Sequence, residues 1–236
     1  MLGRHVSHPD VALFAHLACR AEQDLDLGRA ALSIAAPDYL DLDVSAYVAR
    51  LDELAEAALP QVRGIRERAS RAASLVAHLV HHEGFGSTGC DPDDPRNSFL
   101  HEVLQRRVGL PISLAVVMME VGRRLGVPLY GVSFPGHFLL RAGDLDEAPL
   151  LLDPCSGRPL GPADLAELLH RATGQRRAPR PQELQVARKA AILLRMLTNL
   201  QAIYMRQGDQ HRLHLVRERQ RLLRLGPRAL GPGGSH

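Results

Sequence analysis

The chain has 236 residues, of which 45% are hydrophobic and 23% charged, and its formal net charge is +3. These proportions are typical of globular proteins and exclude a collagen-like, wholly disordered or small disulfide-stapled chain. No run approaches about 18 uncharged apolar residues and the N-terminus lacks an apolar core, so the sequence predicts neither a membrane-spanning helix nor a secretory signal. Cys19, Cys90 and Cys155 form no Cys-x-x-Cys pair, and we therefore expect a cytoplasmic protein with reduced thiols.

The small net charge conceals two regions of opposite charge. Residues 1–64 contain ten acidic and five basic side chains, whereas residues 176–236 contain thirteen basic and three acidic ones. In the basic region, arginines from Arg212 to Arg224 alternate with apolar Leu213, Val216 and Leu223. This pattern predicts an amphipathic helix whose positive face can bind an acidic partner. The helix lacks the interleaved aromatic residues of nucleic-acid-binding surfaces, so binding to nucleic acid is disfavoured.

Residues 1–82 form a predicted N-terminal helical region. Hydrophobic spacing indicates one helix that Asp10 can cap and that continues to Ala21, and a second over residues 22–35. A third helix starts at Asp43 or Ser45, and Pro60 fits the first turn of a fourth that reaches about His82. Residues 83–96 are rich in Gly, Asp and Pro, which predicts a surface loop.

Residues 83–175 form the predicted core. Asn97, or alternatively Ser98, caps a short helix that Gly109 ends. The next helix opens at Pro111 and is apolar on nearly all sides as far as Glu120, which places it at the centre of the core. Strand-like runs follow at residues 129–134, 137–141 and 150–153. They predict a small antiparallel sheet packed on the central helix.

A predicted C-terminal helical hairpin occupies residues 176–236. Its helices cover residues 182–207 and 209–225, joined tightly at Gly208, and the tail from Gly226 is expected to be loose. A further helix over residues 162–172 precedes a basic linker. Helices, then strands, then helices indicate an α+β fold.

Three polar residues stand in apolar surroundings. Ser113 lies in the first turn of the central helix, where the helix dipole is positive. His137 begins a predicted strand, and Asp153 ends the next one, held extended by Pro154. A nucleophile, a base and a carboxylate that orients the base are the parts of an acyl-transfer triad. Their separations of 24 and 16 residues suit a helix, a hairpin and the next strand.

Several segments of the chain follow one order of motifs. Gly-x-Pro-x-Ser lies on the central helix, a His lies on a later strand, and Asp-Pro lies at the end of the strand that follows it. Together they resemble the transglutaminase-like superfamily, which has a papain-like core. The closer resemblance is to a bacterial branch, loosely named after an invasion regulator, that joins this core to a C-terminal tetratricopeptide-like region. It covers the chain from about residue 80 to the end. The segments are residues 97–100, 106–114, 124–128, 134–140, 152–154 and 195–200.

The resemblance implies a Cys-His-Asp triad, but Ser113 stands at the position of the nucleophilic cysteine. A serine hydroxyl, unlike a thiol, is not ionised near neutral pH and needs a strong base. One hypothesis is a non-catalytic or weakly active protein that binds a peptide or protein partner in the substrate cleft. The alternative is a serine-dependent amide or ester hydrolase or acyltransferase, with Ser113 as nucleophile, His137 as base and Asp153 orienting it. A nucleic-acid-associated regulator is a distant third.

Each candidate residue also has a purely structural interpretation. Ser113 can bond the backbone of its own helix, and His137 with Asp153 can form a core pair. Asn97 is either a binding residue or only a helix cap. Cys155 is expected to be a small buried residue, or an oxidisable thiol beside His137.

Metal and cofactor sites lack a recognisable motif. His78, His81 and His82 precede Glu83, but this spacing matches neither the His-Glu-x-x-His motif nor its inverted form. The positive charge of histidines at a helix end explains them better. No phosphate-binding loop or dinucleotide fingerprint occurs, so we predict no metal and no cofactor.

Overall fold

The computed structural model describes residues 9–146 and 148–227, with the backbone alone for residues 9–12. The helices there are α1 (Pro9–Ala18), α2 (Leu27–Ser33), α3 (Val44–Val62), α4 (Arg68–His81), α5 (Leu100–Arg106), α6 (Pro111–Arg124), α7 (Pro162–Thr173), α8 (Lys189–Gln207) and α9 (Gln210–Leu225). The strands are β1 (Leu129–Val132), β2 (Leu139–Ala142) and β3 (Leu150–Leu152). Two short 3₁₀ helices cover Pro95–Asn97 and Pro181–Leu184. This combination of helices with a small antiparallel sheet confirms the predicted α+β class.

The chain separates into two compact units. One is Ser45–Arg188, which holds the sheet, and the other combines the described residues of Met1–Val44 and Lys189–His236. In the second unit α1 packs on α9, and α2 packs on α8. The predicted boundaries after residues 82 and 175 do not coincide with this division. The reason is that α4 packs on α6 and β2 and so belongs with the sheet.

Two helices begin further along the chain than the hydrophobic spacing predicts, because an acidic residue caps each of them. Asp26 caps α2 by accepting a hydrogen bond of 2.9 Å from the Arg29 amide. Glu67 caps α4 by accepting from the amides of Ala69 and Ser70. The prediction that Pro60 opens the fourth helix was wrong, because Pro60 lies in the last turn of α3. The side chain of Asp10, the predicted cap of α1, lies outside the described residues.

Helix α6 is the centre of the Ser45–Arg188 unit, as its apolar pattern predicts. Helices α4 and α5 and strands β1 and β2 all pack against it. Buried residues run from Ile112 to Met118 without a break and continue to Gly122 after the exposed side of Met119. Glu120 is also buried, and its carboxylate accepts hydrogen bonds from Arg123 at 3.0 Å and Arg124 at 2.8 Å. The helix is thus buried from Ile112 to Gly122 except at Met119, and Arg123 near its end is exposed.

The three strands form one antiparallel sheet in the order β1-β2-β3. Gly131 pairs with Leu140, and Leu140 pairs in turn with Leu152. Strand β2 begins at Leu139, two residues later than predicted, so His137 lies in the turn between β1 and β2. Asp153 follows the last residue of β3.

The predicted helix over residues 182–207 is divided. Val186 forms an isolated bridge with Val132, and the Ala187 amide donates to the Gly131 carbonyl at 2.8 Å. This short pairing with the edge of the sheet delays the start of α8 to residue 189. Helices α8 and α9 pack against each other as the predicted hairpin, and Asp209 caps α9 by accepting from the Arg212 amide at 3.0 Å. Residues 228–236 of the predicted tail lie outside the described residues.

No helix among the described residues has both the length and the apolar character needed to cross a membrane.

The turn that presents His137 depends on Gly136, whose φ is +67°. A methyl group there would lie 2.5 Å from the Ala172 Cβ of α7, whereas Gly174, with φ +73°, has no atom within 4 Å of that position. We predict that Gly136→Ala lowers the free energy of unfolding by about 1–3 kcal/mol more than Gly174→Ala. Both variants strain the backbone, but only the first adds a steric overlap. Urea unfolding of the two variants measures the difference, and equal destabilisation would contradict the prediction.

Candidate functional site

The structure brings His137 and Asp153 together. Nε2 of His137 lies 3.1 Å from Oδ1 of Asp153. The turn between β1 and β2 supplies the imidazole, and the chain immediately after β3 supplies the carboxylate. The two side chains are 20% and 18% exposed. The pair is therefore held within the protein but remains accessible from solvent.

Three donors hold the Asp153 carboxylate. Besides His137, the Cys155 amide donates to Oδ1 at 3.0 Å and the Ser156 hydroxyl donates to Oδ2 at 2.8 Å. Burial raises the pKa of this carboxyl, but the hydrogen bonds together outweigh burial and bring the pKa to about 2. Asp153 is thus an anion near neutral pH, and it fixes the orientation of the imidazole.

Ser113 is not hydrogen-bonded to this group. It occupies the third position of α6, it is 0% exposed, and its hydroxyl has no hydrogen-bond partner among the described residues. It lies in the unbroken run of buried residues from Ile112 to Met118. Its role as a nucleophile or as a helix cap stays a prediction.

Asn97 has a structural role in the described unit. Its side-chain amide donates to the Asp91 carbonyl at 2.7 Å, and its side-chain oxygen accepts from Arg106 at 2.9 Å. Its own carbonyl accepts from the Leu110 amide at 3.0 Å. The prediction that Asn97 or Ser98 caps the next helix was wrong, because the N-cap of α5 is Phe99, which makes no side-chain cap bond. Asn97 instead joins the preceding loop to the turn between α5 and α6.

Cys155 lies beside the His137–Asp153 pair, as in the prediction that placed its thiol next to His137. The potential ligand atoms of these three residues all lie within 4.8 Å of one another. Burial, with the nearby Asp153 carboxylate, raises the pKa of the thiol to about 12, although a hydrogen bond with Ser87 acts in the opposite direction. A thiol with this pKa is protonated near neutral pH and is a poor nucleophile.

Two serines of this cluster were missed by the sequence interpretation. Ser156 follows Asp153 by three residues, and the Asp-Pro-x-Ser pattern is a recognisable signal for a turn built on the aspartate side chain. Ser87 lies in the loop after α4, far from Cys155 in sequence, and no pattern along the chain indicates their contact.

The histidines at the end of α4 form a packed helix terminus. The rings of His78 and His82 stack with their centroids 5.2 Å apart. Nε2 of His78 lies 3.9 Å from the Glu83 carboxylate, which also accepts from Arg107 at 3.1 Å. Burial lowers the pKa of His78. The histidines are thus packed at the helix end, but the lowered pKa of His78 disfavours the positive charge that the sequence interpretation gave it.

Fewer arginines contribute to the basic face of α9 than the sequence predicts. Arg212 forms ion pairs with Asp38 and Asp209, so its charge is largely used within its own unit. Arg219 is buried, with its guanidinium 5.5 Å from the centre of the Phe14 ring. Besides Arg212, the exposed arginines of the helix are Arg217, Arg221 and Arg224.

Comparison with known proteins identifies one family. The model of the transglutaminase-like superfamily matches residues 45–198. The chain is 39% identical over 199 residues to the UPF0162 protein of Xylella fastidiosa strain Temecula1, covering 81% of this chain and 69% of that one. The UPF0162 protein of Pseudomonas aeruginosa is 38% identical over 218 residues, covering 90% and 77% of the two chains. No solved structure matches the chain.

Acid should weaken the protein through Asp153, whose pKa is about 2 in the folded chain against about 3.9 for an unfolded aspartate. The stabilisation from this depressed pKa is complete above about pH 5 and is lost as the pH falls towards 2. We predict that Asp153→Asn lowers the free energy of unfolding by about 1–2 kcal/mol at pH 7, after allowance for solvent screening. The deficit relative to wild type should shrink as the pH approaches 2.

Urea unfolding at several pH values between 7 and 2 checks this prediction. Asp146→Asn, which changes an exposed carboxylate in the same unit, is the control and should follow the wild-type profile. A deficit for Asp153→Asn that stays constant with pH would contradict the assignment.

Proposed function

The chain belongs to the transglutaminase-like superfamily, and from that premise we propose that it is a member without efficient acyl-transfer chemistry. In this proposal Ser113 stands where catalytic members carry the nucleophilic cysteine, and the protein binds a peptide or protein segment at the surface around His137 and Asp153. Helices α8 and α9 would correspond to the tetratricopeptide-like region of the bacterial branch that the sequence resembles.

The state of Ser113 carries the proposal. A nucleophile must reach the carbonyl carbon of its substrate, and it needs a base within hydrogen-bonding distance. The Ser113 hydroxyl is 0% exposed and is not hydrogen-bonded to any described residue. In this state the side chain has no access to a substrate, and no described residue accepts its proton through a hydrogen bond.

The His137–Asp153 pair has the properties of a recognition element. Its imidazole is held in one orientation by the carboxylate, yet one fifth of its side chain is exposed. An oriented imidazole can donate to a peptide carbonyl or accept from a peptide amide at little entropic cost. A pair that served only to fill the core would not require this exposure.

The same pair favours the competing hypothesis of a serine-dependent hydrolase or acyltransferase. An imidazole backed by a carboxylate is the base that a serine nucleophile requires. The two hypotheses differ in whether a reagent can reach Ser113, and this difference is directly measurable.

Removal of the Ser113 hydroxyl should leave the protein intact. Because a buried hydroxyl without a partner has lost its hydration for no gain, we predict that Ser113→Ala keeps or raises the free energy of unfolding, by up to about 1 kcal/mol. Ser33→Ala is the matched control, since Ser33 is equally buried but donates to the Ala30 carbonyl at 2.7 Å. That variant should lose about 1 kcal/mol.

The same variants decide between the two functions. A fluorophosphonate probe, which reacts with activated serines, should label wild type and Ser113→Ala equally weakly. Labelling of the wild type that Ser113→Ala abolishes and Ser156→Ala retains would support the hydrolase and contradict our proposal. In Ser113→Cys, the new thiol should react with iodoacetamide no faster in the folded chain than the buried Cys19 does.

Peptide binding should depend on His137. We predict that peptides selected from a displayed random library on the wild-type chain, in the presence of EDTA, include ligands that lose at least about tenfold in affinity on His137→Ala. His211→Ala, which changes an exposed histidine of the other unit, should leave their affinity unchanged. Fluorescence polarisation of the labelled peptides gives the affinities. If no selected peptide distinguishes His137→Ala from wild type, recognition at this pair is refuted.

A further inference from the structure

Three donors of different chemical type converge next to the sheet. They are the imidazole of His137, the carboxylate of Asp153 and the thiol of Cys155, whose potential ligand atoms lie within 4.8 Å of one another. Each side chain is partly buried. The set combines one nitrogen, one oxygen and one sulfur ligand at the boundary between protein and solvent.

We propose that His137, Asp153 and Cys155 form a three-ligand site for a divalent transition metal, Zn²⁺ being the ion that fits best. Zinc accepts all three donor types and is held tetrahedrally in proteins. Carboxylate-rich sites suit magnesium or calcium, but a thiol and an imidazole select a softer cation. Three protein ligands leave the fourth position open to water or to a donor from a bound molecule.

The separations suit this geometry. Ligand atoms around a tetrahedral zinc ion lie about 3.3–3.8 Å apart, given bonds of about 2.0–2.3 Å. Nε2 of His137 and Oδ1 of Asp153 are 3.1 Å apart, and one potential ligand atom from each of the three residues lies within 4.8 Å of the other two. The three donors are thus close enough for side-chain rotation to bring them around one ion.

Neighbouring groups hold two of the ligands in place. The Ser156 hydroxyl donates to Oδ2 of Asp153 at 2.8 Å, which directs the other carboxylate oxygen towards His137. The Ser87 side chain is hydrogen-bonded to the Cys155 thiol. Such outer contacts orient metal ligands in characterised sites, and their loss weakens metal binding.

The charge balance of the cluster favours a cation. The Asp153 carboxylate brings one negative charge into a partly buried site, and a metal-bound Cys155 thiolate would add a second. A divalent ion neutralises both, and His137 binds it as a neutral ligand. Each of the three residues then contributes in its usual ligating form.

This inference goes beyond the proposed function and does not depend on it, because the metal test uses no peptide. The reduced full-length chain, stripped with EDTA and dialysed, is titrated with Co²⁺ as a spectroscopic substitute for zinc. We expect one equivalent to bind with the strong visible bands of tetrahedral cobalt and a thiolate-to-cobalt charge-transfer band in the near ultraviolet. Added Zn²⁺ should displace the cobalt and abolish both signals.

Variants assign the ligands. Cys155→Ser should abolish the charge-transfer band, and His137→Gln and Asp153→Asn should each weaken cobalt binding at least about tenfold. Cys90→Ser and His78→Gln change a thiol and an imidazole outside the cluster, and both should bind cobalt like the wild type. Circular dichroism checks that each variant is folded. If His137→Gln is not folded, the result for the near-isosteric Cys155→Ser alone decides whether the metal site exists.

Two results would overturn the site. They are the absence of a charge-transfer band in the wild type and its retention in Cys155→Ser.

Discussion

The enclosure of α6 is the constraint on which the Ser45–Arg188 unit depends. Helices α4 and α5 and strands β1 and β2 pack around it, so each of its faces must be filled with small or branched apolar side chains. Gly122 shows how close this packing is, because a methyl group there would lie 2.9 Å from the Val127 carbonyl oxygen. The chain can therefore turn directly from α6 into β1. The same enclosure extends to the first turn of the helix, where it removes Ser113 from solvent.

Asp153 is a second, polar constraint. Its side chain accepts from His137, Cys155 and Ser156, and its backbone amide and carbonyl bond Arg158 and Gly157 at 3.0 Å and 2.8 Å. The chain after β3 is thus folded around this one residue. Asp153 therefore has a structural reason to be present whether or not the protein is an enzyme. The His137 amide donates to the Phe134 carbonyl at 3.2 Å within its own turn, and the imidazole bonds Asp153.

The sequence predicts the elements that depend on local pattern and misses those that depend on distant contacts. The apolar pattern of α6 and the short strand-like runs after Pro128 were sufficient to predict the central helix and the sheet. Pro60 misled, because it lies in the last turn of α3 and the next helix starts instead at the Glu67 cap. The break before α8 arises from the pairing of Val186 with Val132, which no local signal shows. At the site, the meeting of His137 with Asp153 was predictable from order and spacing, whereas the isolation of Ser113 depends on all the elements around α6.

The position of the thiol determines which chemistry the His137–Asp153 pair can support. A cysteine at residue 113 would lie at the positive end of a helix, where the dipole favours the thiolate and lowers the pKa. The cysteine near the pair is instead Cys155, in a turn beside a carboxylate, where burial and the negative charge raise its pKa to about 12. Such a thiol is poorly suited to attack an amide. As a metal ligand it would have to lose its proton, and a divalent cation would then offset the negative charges of the thiolate and of Asp153.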